Sequence, residues 1–345
     1  MKIGCLINVF CETPLPDVLS FCKTIGIEMV EIGCGAINGI HHCNAEALIE
    51  DDEAFKKFKA TVERSGLGIS AFACHANPVH PVKEIAQRYD HMMRSAVLLA
   101  EKMGVDTLVT FSGAPADCPE SIRPNWVTHV FPYDGIATLD YQWRKCLIPY
   151  WREFSAFARQ HGVRIAIEMH PGWAVSDPDS LMYLRDNCGD NIGANFDPSH
   201  LIWHGVDCPT AIRKLGGSIY HFHAKDTQVN EEEMGKNGFF PLAAGPIGDG
   251  PRPFQFKIPT YGTGDLYWKQ MLTALREVGY DGALSIEHED SEFGQFDGVI
   301  RAAEILRSMI YREPAAQCAW KASISEYQRT FLPEYLAEQK EGKRV

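Results

Sequence analysis

The sequence has 345 residues, with 33 basic and 45 acidic side chains for a net charge of −12, and 45% of it is hydrophobic. That composition is globular, and the length suits either one large α/β barrel or two smaller domains. The acidic balance, with no basic block before Lys343-Arg344, argues against nucleic acid or an anionic membrane as the main partner.

The apolar runs are strand-sized, which argues against a transmembrane helix. Residues 1–10 lead straight into folded-looking sequence without a signal-cleavage pattern, so a cytoplasmic location is expected. Eleven cysteines lie singly, with no Cys-x-x-Cys pair, and are expected to be reduced thiols.

One pattern recurs along the chain. An amphipathic stretch ends in glycine, at Gly26, Gly66, Gly104, Gly162, Gly189, Gly216 and Gly279, and a short aliphatic or β-branched run follows. Seven such returns need eight strands, predicted at 2–9, 28–33, 68–74, 107–112, 164–170, 192–197, 219–225 and 283–289. Between them run 3.6-period stripes such as Ile85, Tyr89, Met92, Ala96, Leu99 and Met103. Strict alternation of strand and helix over eight units predicts a (β/α)8 barrel over residues 1–311. A Rossmann fold would want Gly-x-Gly-x-x-Gly after the first strand, where the sequence is Asn8-Val9-Phe10-Cys11-Glu12-Thr13.

Two connections are long, 113–142 after the fourth strand and 227–264 after the seventh, and both fall on the face where barrels carry their chemistry. The second, rich in Gly, Pro and Phe, reads as a lid or a subunit contact. Residues 312–345 read as an amphipathic helical extension, packing on the barrel or on a partner.

The C-terminal ends of strands five to eight gather acids and histidines. Period two aligns Glu168 with His170, His221 with His223 and Lys225, and Ser285 with Glu287 and Glu289; strand six ends at Asp197 and turns through Pro198-Ser199 to His200. Several carboxylates in one barrel mouth repel one another unless a cation lies among them. Glu168, Asp197, His223 and Glu287 offer three carboxylates and one imidazole to one divalent ion. Mn2+ is favoured, with Mg2+, Co2+ and Zn2+ also compatible. His75, Trp173, His200 and Lys225 are candidate substrate contacts.

Ile167-Glu168-Met169-His170-Pro171-Gly172, Asn195-Phe196-Asp197-Pro198-Ser199-His200, His221-Phe222-His223-Ala224-Lys225-Asp226 and Ser285-Ile286-Glu287-His288-Glu289-Asp290 resemble segments of the xylose isomerase-like barrels, which include sugar and sugar-phosphate isomerases and epimerases. The resemblance implies that Glu168, Asp197, His223 and Glu287 hold one metal, often manganese. Glu168 and Glu287 would act as an acid/base pair, and His200 would touch a carbohydrate substrate.

His170 departs from the epimerase pattern and is a candidate base. A Glu-x-His strand also resembles the large subunit of the C-glycoside deglycosidases, which cleave 3-oxo-glycosides by elimination with a small β subunit. Isomerisation or epimerisation leads and elimination is the alternative, in a homo-oligomer or a hetero-oligomer with such a subunit. A resemblance to abasic-site endonucleases is set aside, because histidines of their three-metal cluster lack counterparts here and the charge is wrong for DNA.

Overall fold

A computed structural model describes residues 1–239, 252–313, 326, 327, 329 and 330. It divides into a barrel unit, Met1–Ile310, and a second unit, Tyr311–Val345. In the second unit residues 326, 327, 329 and 330 are helical, and the rest of the amphipathic extension expected there lies outside the described residues. Among the described residues no helix is long and apolar enough to cross a membrane.

Strands β1 (Lys2–Leu6), β2 (Met29–Gly33), β3 (Gly68–Ala73), β4 (Thr107–Thr110), β5 (Arg164–Glu168), β6 (Ile192–Phe196) and β7 (Ile219–Ala224) run in barrel order. After an antiparallel pair, β8 (Asp226–Val229) and β9 (Phe254–Lys257), the strand β10 (Ala283–Ile286) closes the barrel between β7 and β1. Every barrel pairing is parallel. The expected (β/α)8 architecture is therefore what forms.

The glycine signals hold for a local reason. All seven glycines have positive φ, between +54° and +138°. Gly104, at φ +69°, ends the helix Lys83–Met103 in a left-handed cap that a Cβ would strain. Ile85 of the predicted stripe is 40% exposed, and the buried face of this helix begins at Met93.

The strands stop sooner than period-two alternation suggested. Residues 7–10 wind into a 3-10 turn, and past Glu168 the chain folds back so that His170 N donates to Val175 O. At these two strand ends the backbone groups are satisfied by local bonds instead of the ladder.

Two one-residue bulges set which side chains enter the lumen. β3 carries an extra residue at Ser70 opposite Val30 and Glu31, and β7 carries one at Tyr220 opposite Ala194 and Asn195. Ile219 consequently packs in the outer core, whereas His221 and His223 sit in the lumen beside Asn195. Leu6, Ala71, Ala73, Val109 and Ala166 form the apolar part of the lumen.

The larger core lies between sheet and helices, where Trp151, Phe154, Phe196, Phe222 and Trp268 are fully buried. Trp151, on the helix Ile148–Gln160, donates its Nε1–H to Ser112 O at 2.9 Å and so ties the outer layer to the end of β4. Trp151→Ala is expected to lower unfolding free energy by about 3–5 kcal/mol in urea denaturation. A loss under about 1 kcal/mol would show that the site collapses around the cavity.

Candidate active site and metal centre

The four predicted ligands converge at the C-terminal rim. Glu168 is the last residue of β5, Asp197 follows β6, His223 is the penultimate residue of β7, and Glu287 follows β10. One donor atom of each lies within 4.8 Å of the others. His223 Nδ1 is 3.0 Å from Glu287 Oε2, 3.3 Å from Glu168 Oε2 and 3.9 Å from Asp197 Oδ2. His223, rather than His221, turns a ring nitrogen to the carboxylates; His221 lies against Asn195 Oδ1 and Ser70 Oγ.

Each ligand is aimed by its neighbours. Asp197 caps the short helix Pro198–Trp203, where Oδ1 accepts from Ser199 N at 2.8 Å and Oδ2 is left facing the site. Glu168 Oε2 is held by Asn195 Nδ2 at 2.9 Å and His75 Nε2 at 3.0 Å, while its Oε1 lies 3.3 Å from His200 Nε2. Asp197 Oδ2 and His223 Nδ1 are buried and make no hydrogen bond. The Lys225 ammonium lies 3.1 Å from that Asp197 oxygen as an ion pair only. Buried polar atoms are ordinarily satisfied. Two unsatisfied ligand atoms facing each other among three carboxylates fit a shared divalent cation, and the oxygen-rich donor set suits Mn2+, Mg2+, Co2+ or Zn2+.

Lys225 is the fixed counter-charge. Its Nζ is 2.6 Å from Glu287, 2.9 Å from Glu289 and 3.1 Å from Asp197, and it is 2% exposed. Burial opposes its charge, but these carboxylates outweigh burial and hold the ammonium well above its usual range. Burial likewise works against the Glu168 carboxylate, which His75 and His223 keep well below the ordinary range. Asp197 goes the other way: burial, opposed by Lys225 and reinforced by Glu287 and Glu168, pushes it up to about 7.

His170 lies just past β5 and is half-buried. Its Nδ1 is 2.6 Å from Pro171 O, and its ring sits 3.9 Å from that of His200. A carbonyl only accepts, so Nδ1 carries the proton and Nε2 keeps a lone pair. Burial, then His200, lowers this imidazole to about 4.

Aromatic rings wall the mouth. Trp173 stacks on Phe111 at 4.6 Å, and Phe111 meets His170 edge-on at 5.4 Å. On the other side Trp203 stacks on Phe254 at 4.4 Å, and Phe256 meets His200 edge-on at 5.2 Å. Phe254 and Phe256 belong to β9, so part of the Gly- and Pro-rich connection forms a wall of the mouth; residues 240–251 of that connection lie outside the described residues. Asp226 holds this excursion by accepting from the backbone of Gly262 and Thr263, each at 3.0 Å.

Sequence reasoning missed Glu31, Asn38 and Asn195. Glu31 had a visible signal, a lone acid between Val30 and Ile32 in mid-strand. Asn38, whose Oδ1 lies 2.8 Å from His75 Nδ1, sits in a loop and had none.

Fold and site together define a (β/α)8 barrel with a candidate divalent-metal centre at its C-terminal rim. The chain belongs to the xylose isomerase-like TIM barrel family, whose profile matches residues 19–309. It is 31% identical over 315 residues to the uncharacterized protein YfiH of Bacillus subtilis, a match covering 90% of this chain and 99% of that protein. It is 27% identical over 173 residues to an inosose dehydratase of Clostridium perfringens, covering 49% of this chain and 54% of that enzyme.

Among solved structures, the probable 3-DHS dehydratase AsbF of Bacillus anthracis superposes with a TM-score of 0.62 at 15% identity, covering 91% of this chain and all (100%) of that one. The IOLI protein with a bound zinc atom gives 0.62 at 18% identity, covering 90% and 96%. At such identities the likeness shows the fold.

Lys225→Met should cost about 3–5 kcal/mol in urea denaturation with a chelator present, because it strands buried carboxylates. Added Mn2+ should recover part of that loss. Equal stability of variant and wild type in chelator would remove Lys225 as the counter-charge.

Proposed function

We propose that this protein is a divalent-metal-dependent enzyme that removes a proton next to the carbonyl of a sugar or oxo-sugar and then expels a substituent from the adjacent carbon. The observation carrying this reading is the four-residue ligand set with the free Nε2 of His170 on the same rim. A cation held by Glu168, Asp197, His223 and Glu287 would polarise the carbonyl and stabilise the charge that builds on its oxygen.

The side chains have distinct tasks. His170 accepts the proton at Nε2, and its Nδ1–H stays bonded to Pro171 O, which stabilises the imidazolium. The Lys225 ammonium, kept charged by Glu289, lies on the same rim and can protonate the departing oxygen. His200 and Trp173 contact the substrate, while Trp173 and Phe111 keep water from the reacting carbon. His75, 4% exposed and bonded to Glu168, orients that ligand. The similarity to an inosose dehydratase over about half the chain supports elimination, with water or an aglycone as the leaving group.

Isomerisation or epimerisation shares the first step. The near approach of Glu168 and Glu287 to the same His223 nitrogen favours it, since that pair can serve both faces of a substrate. A small β subunit would belong to the aglycone-releasing form of the elimination.

Mass spectrometry in deuterated water separates the outcomes. Oxo-sugars losing water or an aglycone support elimination; deuterium beside the carbonyl in an otherwise unchanged ketose supports isomerisation or epimerisation. Chelation should abolish turnover and Mn2+ restore it; full activity without metal overturns the site assignment. His170→Ala should lower kcat by about 10^2–10^4 with metal content unchanged, and an unaffected rate would remove it as the base.

A further inference from the structure

One layer beneath the rim, Glu31 on β2 is a carboxylate wholly enclosed in the lumen, and none of the steps above uses it. Its oxygens lie 3.1 and 3.2 Å from His223 Nε2, and Oε2 also accepts from Ser285 Oγ at 2.7 Å. β2 and β7 are not neighbours in the barrel, so the contact crosses the lumen. Asn195 Nδ2 is 3.2 Å from the same ring nitrogen, but that amide donates to Glu168, and an amide nitrogen cannot accept a proton. Among the described residues, Glu31 is the acceptor in reach of Nε2.

A neutral imidazole has one N–H and one lone pair, so whichever group takes the proton of one nitrogen decides where the other points its lone pair. In His223 the second nitrogen, Nδ1, is the one facing Glu168, Asp197 and Glu287. We propose that Glu31 is a positioning residue: by accepting the Nε2 proton it fixes the His223 tautomer that presents Nδ1 to the rim, and it thereby sets the affinity of the site for a divalent cation. Loss of such a carboxylate partner ordinarily weakens metal binding by about 10–100-fold. The inference rests on the metal reading above.

The test uses the full chain, stripped of metal. Wild type and Glu31→Gln are titrated with Mn2+ and with Zn2+ by calorimetry, and the ring N–H groups of 15N-histidine protein are read by NMR, with His223 assigned by His223→Gln. The variant should bind about 10–100-fold more weakly, and the His223 Nε2–H signal should shift or vanish. Wild-type affinity in a folded Glu31→Gln protein overturns the proposal, as does zinc-loaded wild type with its proton on Nδ1.

If Glu31→Gln does not fold, the wild-type tautomer decides alone: a proton on Nε2 supports the role and one on Nδ1 overturns it. Wild type that binds neither ion would sink the metal reading of the site and this affinity claim together. An intact Nε2–H signal with weakened catalysis in the variant would point to a failure elsewhere in the proposed reaction and count against Glu31.

Discussion

Glu168, Asp197 and Glu287 bring three carboxylates within 4.8 Å of one another and of His223, with Glu168 and Asp197 buried. Two unit charges about 4 Å apart repel by roughly 4 kcal/mol at an effective dielectric of about 20. The surrounding side chains answer that repulsion. His75, Asn195 and His200 point donors at Glu168, while Lys225 spans Asp197, Glu287 and Glu289. The barrel makes this tolerable, because each carboxylate is fixed by a different strand and cannot swing away into solvent.

The barrel was legible because each helix-to-strand return leaves a chemical mark, a glycine able to take positive φ followed by an aliphatic run. The rim ligands were legible because strands five to eight place them at matching ends, where period two and a rule of barrel chemistry coincide. Strand ends were not, since residues such as His170 belong by pattern to the strand yet bond locally to Val175 and Pro171. Ser70 and Tyr220 escaped for a related reason: nothing in their identity announces an inserted residue, and only the cross-strand register exposes it. Glu31 was visible as an isolated acid between aliphatics, but its partner lies 192 positions away and across the lumen.

The two sides of the mouth divide the labour. The acid, imidazole and ammonium groups come from the ends of β5, β6, β7 and β10 or the residues directly after them. The aromatic walls come from elsewhere: Trp173 from the connection after β5, and Phe254 and Phe256 from the hairpin that Asp226 anchors. The polar cluster is thus carried by strand ends and the shape of the mouth by connections, the usual division in barrels of this kind.

The bulge at Tyr220 makes the site a matter of parity. Ile219, on the near side of the extra residue, packs outward, and His221 and His223 face inward only because that residue resets the alternation. Were Tyr220 instead drawn into the regular ladder, Phe222 would face the lumen and both imidazoles, with Lys225, would turn toward the helices. A point substitution takes one ligand from this rim, whereas a slip of one residue in the pairing of β7 with β6 would take an entire strand's contribution, so this register must hold even where the connections on either side of it are free to vary.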